Sequence, residues 1–434
     1  MRNGPIADPK LAALEQLARW HFSSAALPGA VLHVVTADGP VLTVEYGDLS
    51  ADTPVVLGST SKSVTAALLL QFVDDGRLSL DDPARKHLTN VALPDDVTLR
   101  DLACHVSGLR TDATPRHLAQ KRDREFAYSN QNYNLLGDVL TTVSGANFGI
   151  LLSEGLLQPL GMSQTGCAPE TTGARGWSSL FGRDVPAPRA DFGPGSWIQA
   201  PSGGVVTSAR DAGRLLSMIL SGGTAHGRQV LSPQSIETML SAGVEVKGSP
   251  AVSDALGDSG RYGFGWVTKE VNGHIVHLHS GKVPQSTSVF ALIPELGVGF
   301  VLLADIGDFL VRTPLLEDLG SAIIRELFNL PPRESQSPTK ARDRQRVLNV
   351  AYGAFIAAGI LGWFPRTRPR SVPASVLYHG AIPATLVMGA RKASHTPWPW
   401  LVRFAPDAAA VLAVGCLSMG LTGVARIARH RRAS

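Results

Sequence analysis

Three short stretches of this chain carry residue types that can do acyl-transfer chemistry. In VVLGSTSKSVTAALLLQF, Ser59 precedes Lys62 by three positions, which on a helix is one face. In FAYSNQNYNLLGDVL, Tyr128 and Asn130 stand one residue apart just before a helical run. In HIVHLHSGKVPQS, His279, Ser280 and Gly281 precede Lys282. A serine nucleophile needs a base, an oxyanion hole and a substrate anchor. A lysine buried against SVTAALLLQF would lose hydration, and its pKa would fall toward that of a general base. Ser59 at a helix start presents Oγ and its own N–H to one reacting carbonyl. Tyr128 can relay a proton to a leaving group, the more so as a phenolate stabilised by Lys62, and Asn130 offers both a donor and an acceptor. The G-x-S-x-G elbow, the commoner setting for such a serine, does not occur in the chain.

These residues need elements to hold them. AVLHVV and VLTVEY, joined by TADGP, form an expected hairpin between Ala30 and Leu57. From Ser59 to about Pro250 short helical patterns alternate with Gly and Pro breaks. Strand signals return as YGFGWVTKEV, HIVHLH, STSVFALIP and GVGFVLLAD. The expected architecture is α+β: an antiparallel sheet built from both ends of a domain, with a mostly helical insertion between them. An amphipathic helix from Pro9, with Leu11, Leu14, Leu17 and Ala18 on one face, precedes the sheet, and a helix over 314–330 packs back on it. Ser59 falls at a strand-to-helix junction, and His279-Ser280-Gly281 closes one strand and opens the turn to the next. His105 is expected to brace a helix end. His274, His277 and His279 could be taken together as a metal cluster, but a serine-lysine site needs no metal and no carboxylate partner lies nearby in sequence. No metal or cofactor is expected.

The ordered set Ser59-x-x-Lys62, Tyr128-x-Asn130 and His279-Ser280-Gly281 resembles the three motifs of the serine β-lactamase and penicillin-binding superfamily. It is most similar to the β-lactamase-related hydrolases, which include class C enzymes, D-alanyl-D-alanine carboxypeptidases, D-aminopeptidases and esterases. LRDLACHVSGL, GRLSLDDP and APSGGVVTSARDAGRLL agree with flanking segments of that family. The resemblance covers about residues 9 to 330 and implies an acyl-enzyme mechanism with Ser59, Lys62 and Tyr128 catalytic. It also implies Asn130, His279 and Gly281 at the substrate, and the backbone N–H of Lys282 as second oxyanion donor. His279 stands where penicillin-recognising members carry a lysine, as in the esterase and aminopeptidase branches. The expected substrate is a small ester, amide or peptide. The alternative is a non-catalytic binding or sensor module that keeps the pocket without turnover.

Composition adds a second region. Of 434 residues, 44% are hydrophobic and 18% charged, with a net charge of +4, a balance that favours a core or lipid. The arginines cluster after residue 330 between apolar runs without interleaved aromatics, which argues for membrane flanks and against nucleic acid. The organisation expected is a hydrolase domain over 1–330, a polar linker over 331–346, a membrane region over 347–425 and a basic tail over 426–434. Spans are expected near 347–364, 374–390 and 408–424, with lipid as partner and the hydrolase domain outside the cytoplasm. The N-terminus shows no secretory pattern. Cys104, Cys167 and Cys416 give no disulfide framework or zinc spacing.

Overall fold

The computed structural model describes residues 6–88, 91, 93–109, 125–193, 195–196, 198–241, 243–247, 259–308, 311–332, 340–361, 402 and 405–433. It comprises two compact units, Met1–Trp177 with Pro186–Pro338, and Ser178–Val185 with Thr339–Ser434.

In the first unit, helix α1 (Asp8–Ser24) begins with Pro9 in its first turn and buries Leu14, Ala18, His21 and Phe22, while Leu11 and Leu17 are only half-buried. Strands β1 (Gly29–Thr36) and β2 (Gly39–Gly47) form the hairpin expected from the N-terminal alternation. Helix α2 (Ser61–Asp74) carries the start of the first motif's helix, and α3 (Asn130–Ser144) begins at Asn130. The remaining strands are β3 (Val244–Lys247), β4 (Ser259–Gly263), β5 (Trp266–Val271), β6 (His274–Val283), β7 (Ser286–Ile293) and β8 (Val298–Ala304). Their order in one eight-stranded sheet is β3-β4-β5-β6-β7-β8-β1-β2. Every neighbouring pair is antiparallel, and β8 joins β1 in the register Ala30 to Ala304 through Thr36 to Val298. The sheet is therefore closed from both ends of the domain, with the segment between β2 and β3 inserted. Helix α4 (Arg312–Leu327) follows and packs on β7 and β8.

Two local readings are corrected. YGFGWVTKEV is not one strand: Phe264 and Gly265 both take positive φ, +50° and +78°, and turn β4 into β5. Gly265 is needed there because a Cβ would lie 2.5 Å from Ser63 N. His279-Ser280-Gly281 does not close its strand, since β6 runs on to Val283 and the turn falls at Pro284–Gln285. The insertion also holds small sheets, among them Val55–Val56 and Gly166–Cys167 on either side of Val205–Thr207.

One buried apolar cluster takes in Phe290 and Leu292 of β7, whose eight residues are all buried, and the apolar residues of α2, of which eleven of fourteen residues are buried. Each large apolar side chain placed there contributes roughly 1.5–3 kcal/mol. A helix buried on all sides must satisfy its polar residues internally. Ser63 Oγ donates to Gly265 O at 2.6 Å, and Thr65 Oγ1 to Pro201 O at 2.7 Å.

The second unit contains α5 (Lys340–Leu361), α6 (Pro406–Ala433) and the hairpin turn at Phe181–Gly182. The two helices meet closely enough that a Cβ on Gly415 would lie 2.0 Å from Phe355 Cε1. Phe181 packs edge-on to Tyr352 with ring centroids 6.1 Å apart, and its N–H donates to Asp407 Oδ2 at 3.3 Å. Among the described residues no single helix is long and apolar enough to cross a membrane. The run 374–390 lies outside the described residues; 347–361 and 408–424 lie within α5 and α6.

Candidate active site

The turn that carries Ser59 is fastened from several sides. Leu57 N–H donates to Val205 O at 2.8 Å, Gly58 takes φ of +61°, and a 3-10 turn over Gly58–Thr60 leads into α2. Ser288 Oγ donates to Leu57 O at 2.6 Å and meets Thr60 Oγ1 at 2.8 Å; Ser61 Oγ accepts Val205 N–H at 3.1 Å. Ser59 is thereby left half-buried at the helix entrance.

Lys62 is 0% exposed. Its Nζ lies 3.1 Å from Ser59 Oγ, 2.7 Å from Asn130 Oδ1 and 2.7 Å from Ser202 O. Two of these neighbours, an amide oxygen and a backbone carbonyl, can only accept. A neutral amine has two N–H groups, so it can satisfy both and turn its lone pair on Ser59. Burial holds the Lys62 pKa well below the usual lysine value.

Tyr128 is held against the same group, with Lys62 Nζ 4.9 Å from its ring centroid and its hydroxyl hydrogen-bonded to Ser59. Burial raises the Tyr128 pKa above the ordinary phenol value, and the Ser59 bond offsets this only in part. The resting group is a neutral phenol, not the phenolate expected beside a lysine.

Strand β6 supplies the other wall. A Cβ on Gly281 would lie 1.9 Å from Leu57 O and 2.9 Å from Ser59 N, and one on Gly58 would lie 2.5 Å from Lys282 N. Glycine at both positions lets the backbones of Ser59 and Lys282 converge. Pleating sends alternate side chains to opposite faces. Lys282 accordingly points away and pairs through Nζ with Glu317 Oε1 of α4 at 2.8 Å. His279 points inward, 4% exposed. Its Nδ1 meets Ser280 O at 2.8 Å, so that nitrogen carries the proton, and Nε2 accepts from the Tyr262 hydroxyl at 3.1 Å. Burial, with Lys62 nearby, pushes its pKa down to about 3.

Ser59, Lys62, Tyr128, Asn130, His279, Gly281 and the Lys282 backbone thus converge on one site. His274 and His277 do not join them: His274 meets Glu295 Oε2 at 2.8 Å and stacks on Phe328, and His277 Nδ1 meets Thr268 Oγ1 at 2.9 Å. Sequence reasoning overlooked Tyr262 and the Ser202 carbonyl. Tyr262 carried no signal apart from its strand, and a backbone carbonyl has no residue type to betray it, although APSGG was noted as a flanking segment.

An α+β domain with a Ser-Lys-Tyr site of this geometry defines a class, the serine hydrolases of β-lactamase fold. The Beta-lactamase family profile matches residues 12–314, and the chain belongs to that family. It is 28% identical over 349 residues, 72% of this chain and 89% of the relative, to penicillin-binding protein 4 of Amycolatopsis lactamdurans. It is 22% identical over 333 residues to protein flp of Staphylococcus aureus, covering 69% of this chain but only 63% of flp. The D-amino acid amidase of Ochrobactrum anthropi SV3, solved with L-phenylalanine amide, superposes with a TM-score of 0.59 at 20% identity over 74% of this chain and 99% of that one.

Proposed function

We propose that this serine hydrolase cleaves neutral esters or amides through a Ser59 acyl-enzyme. The observation that carries the reading is the buried Lys62 amine 3.1 Å from Ser59 Oγ with its other two neighbours both pure acceptors. Lys62 takes the Ser59 proton as Oγ bonds to the substrate carbonyl carbon. The oxyanion faces the N–H groups of Ser59 and Lys282. The Tyr128 hydroxyl passes its proton to the leaving oxygen or nitrogen as the acyl bond breaks and recovers one from Lys62. Asn130 orients both Lys62 and the substrate. Water then attacks the ester by the same route in reverse. No cofactor enters these steps.

The preference for neutral substrates follows from the third motif. Its two basic side chains bring no charge to the site, because burial, with Lys62 nearby, holds His279 neutral, and Lys282 is turned to Glu317. A substrate carboxylate therefore gains about tenfold less binding than it would beside a lysine ammonium. An amidase among the structural neighbours agrees with an amide substrate. The apolar, arginine-flanked C-terminal region supports a membrane tether, with the hydrolase domain outside the cytoplasm.

The test is labelling with a fluorophosphonate, together with kcat/KM for a neutral p-nitrophenyl ester and for a penicillin. We expect label on the Ser59 peptide, none in Ser59→Ala, and a higher kcat/KM for the ester, with His279→Lys shifting preference toward penicillin. Label retained in Ser59→Ala overturns the nucleophile. A wild-type preference for penicillin overturns the substrate class, and a burst without turnover points to a sensor.

A further inference from the structure

His105 lies outside the steps above, yet it is fully buried against them. It follows the short helix Leu99–Ala103 and takes φ of +58°, in the left-handed region that residues with a side chain seldom occupy. It braces helix ends on both sides: its N–H donates to Leu102 O at 3.2 Å, and its ring and carbonyl hold the turn that carries the second motif and caps α3. Its carbonyl accepts Ala127 N–H at 2.9 Å. Its Nδ1 receives Ser129 N–H at 3.3 Å and Asn132 Nδ2 at 2.8 Å. Asn132 is oriented for this, since its Oδ1 accepts Ser107 Oγ at 2.5 Å.

A backbone N–H can only donate, so Nδ1 is an acceptor and the neutral ring carries its proton on Nε2. That Nε2 is buried and without a hydrogen-bond partner among the described residues. The ring lies against Tyr128, centroids 4.5 Å apart, and against Tyr262 at 4.8 Å. One acceptor atom and one ring face thus hold both flanks of Tyr128: the backbone at Ser129 and the phenol from beside it.

We propose that His105 is a positioning residue that sets the Tyr128 hydroxyl and the Asn130 side chain against Lys62, through the Nδ1 acceptor on Ser129 N–H and the ring contact with Tyr128. It touches neither Ser59 nor a reacting atom; it acts through Tyr128 and Asn130. The inference rests on the serine-lysine reading of the site. What it adds is the requirement for an acceptor at the Nδ1 position, which explains why an imidazole is kept neutral in a strained backbone beside a buried lysine. A misplacement of about 1 Å in such a relay can cost on the order of 100-fold in rate.

Asparagine and glutamine separate the two nitrogens. In H105N the amide oxygen falls where Nδ1 stands, and asparagine tolerates positive φ; in H105Q the oxygen falls near Nε2 instead. The readouts, on the full chain, are the fluorophosphonate labelling rate of Ser59 at saturation, the probe concentration giving half that rate, and Tm. We expect H105N to keep at least a tenth of the wild-type rate. H105Q should lose on the order of 100-fold, with the half-saturating concentration unchanged. Equal rates in the two variants, or losses that only follow Tm, overturn the assignment. Should H105Q fail to fold, H105N alone decides: a rate below a tenth of wild type overturns it. A wild-type chain that takes no label at Ser59 overturns the underlying function instead.

Discussion

Lys62 shows how one side chain couples chemistry to stability. Burial depresses its pKa in the folded state, so between that lowered value and about 10.5 the unfolded chain binds the extra proton. Stability contributed at this position therefore rises with pH across that window and is flat below it. Relative to Lys62→Met, the wild-type protein should gain Tm as pH climbs from 7 toward 10; a gap that stays constant or moves the other way refutes a depressed lysine. Lys62→Arg, permanently charged, should lower the labelling rate by about 10²–10⁴-fold. At this scale the sequence was informative wherever spacing along one element set a contact. Ser59 and Lys62 declared themselves in this way, and period-two alternation turned Lys282 away from the site. The Tyr262 bond to His279 was not legible, because it joins positions seventeen residues apart whose meeting depends on the pairing of β4, β5 and β6.

Between elements, the decisive contact is backbone against backbone. Strand β6 and the nucleophile turn are close because neither Gly58 nor Gly281 has a Cβ. Gly281→Ala should force them apart. Overpacking of this kind costs about 1–3 kcal/mol, and the displaced oxyanion donors should lower Ser59 labelling by on the order of 100-fold. Wild-type labelling in that variant would show that the approach is looser than the geometry implies. Most of the sheet was readable from its apolar and β-branched runs, but β3, Val244–Lys247, lay in the stretch expected to be helical. The break in YGFGWVTKEV was hidden because Phe264, a good strand residue, occupies a left-handed turn. Its N–H donates to Ala103 O at 3.2 Å, a long-range contact that local pattern cannot report.

At the level of the whole chain, the unit that carries the Beta-lactamase family match is accompanied by a second unit, which includes α5 and α6. The proposed membrane tether predicts that the intact chain resists carbonate extraction, and that a chain ending near Lys340 is released while keeping its labelling; complete release of the intact chain by carbonate overturns it. The closure of the sheet from both ends of the domain also bears on time. Ser59 lies near the start of synthesis, but β6 must be laid beside it, and β1 finds its partner β8 only when residues 298–304 have been made. A nascent chain emerging from the ribosome carries Ser59, the proposed nucleophile, through about half of its synthesis before the strand that holds Gly281 and Lys282 has been made. Such distant pairing is slow to form, so under the proposed mechanism Ser59 stays silent until the domain has been finished and its two ends have met.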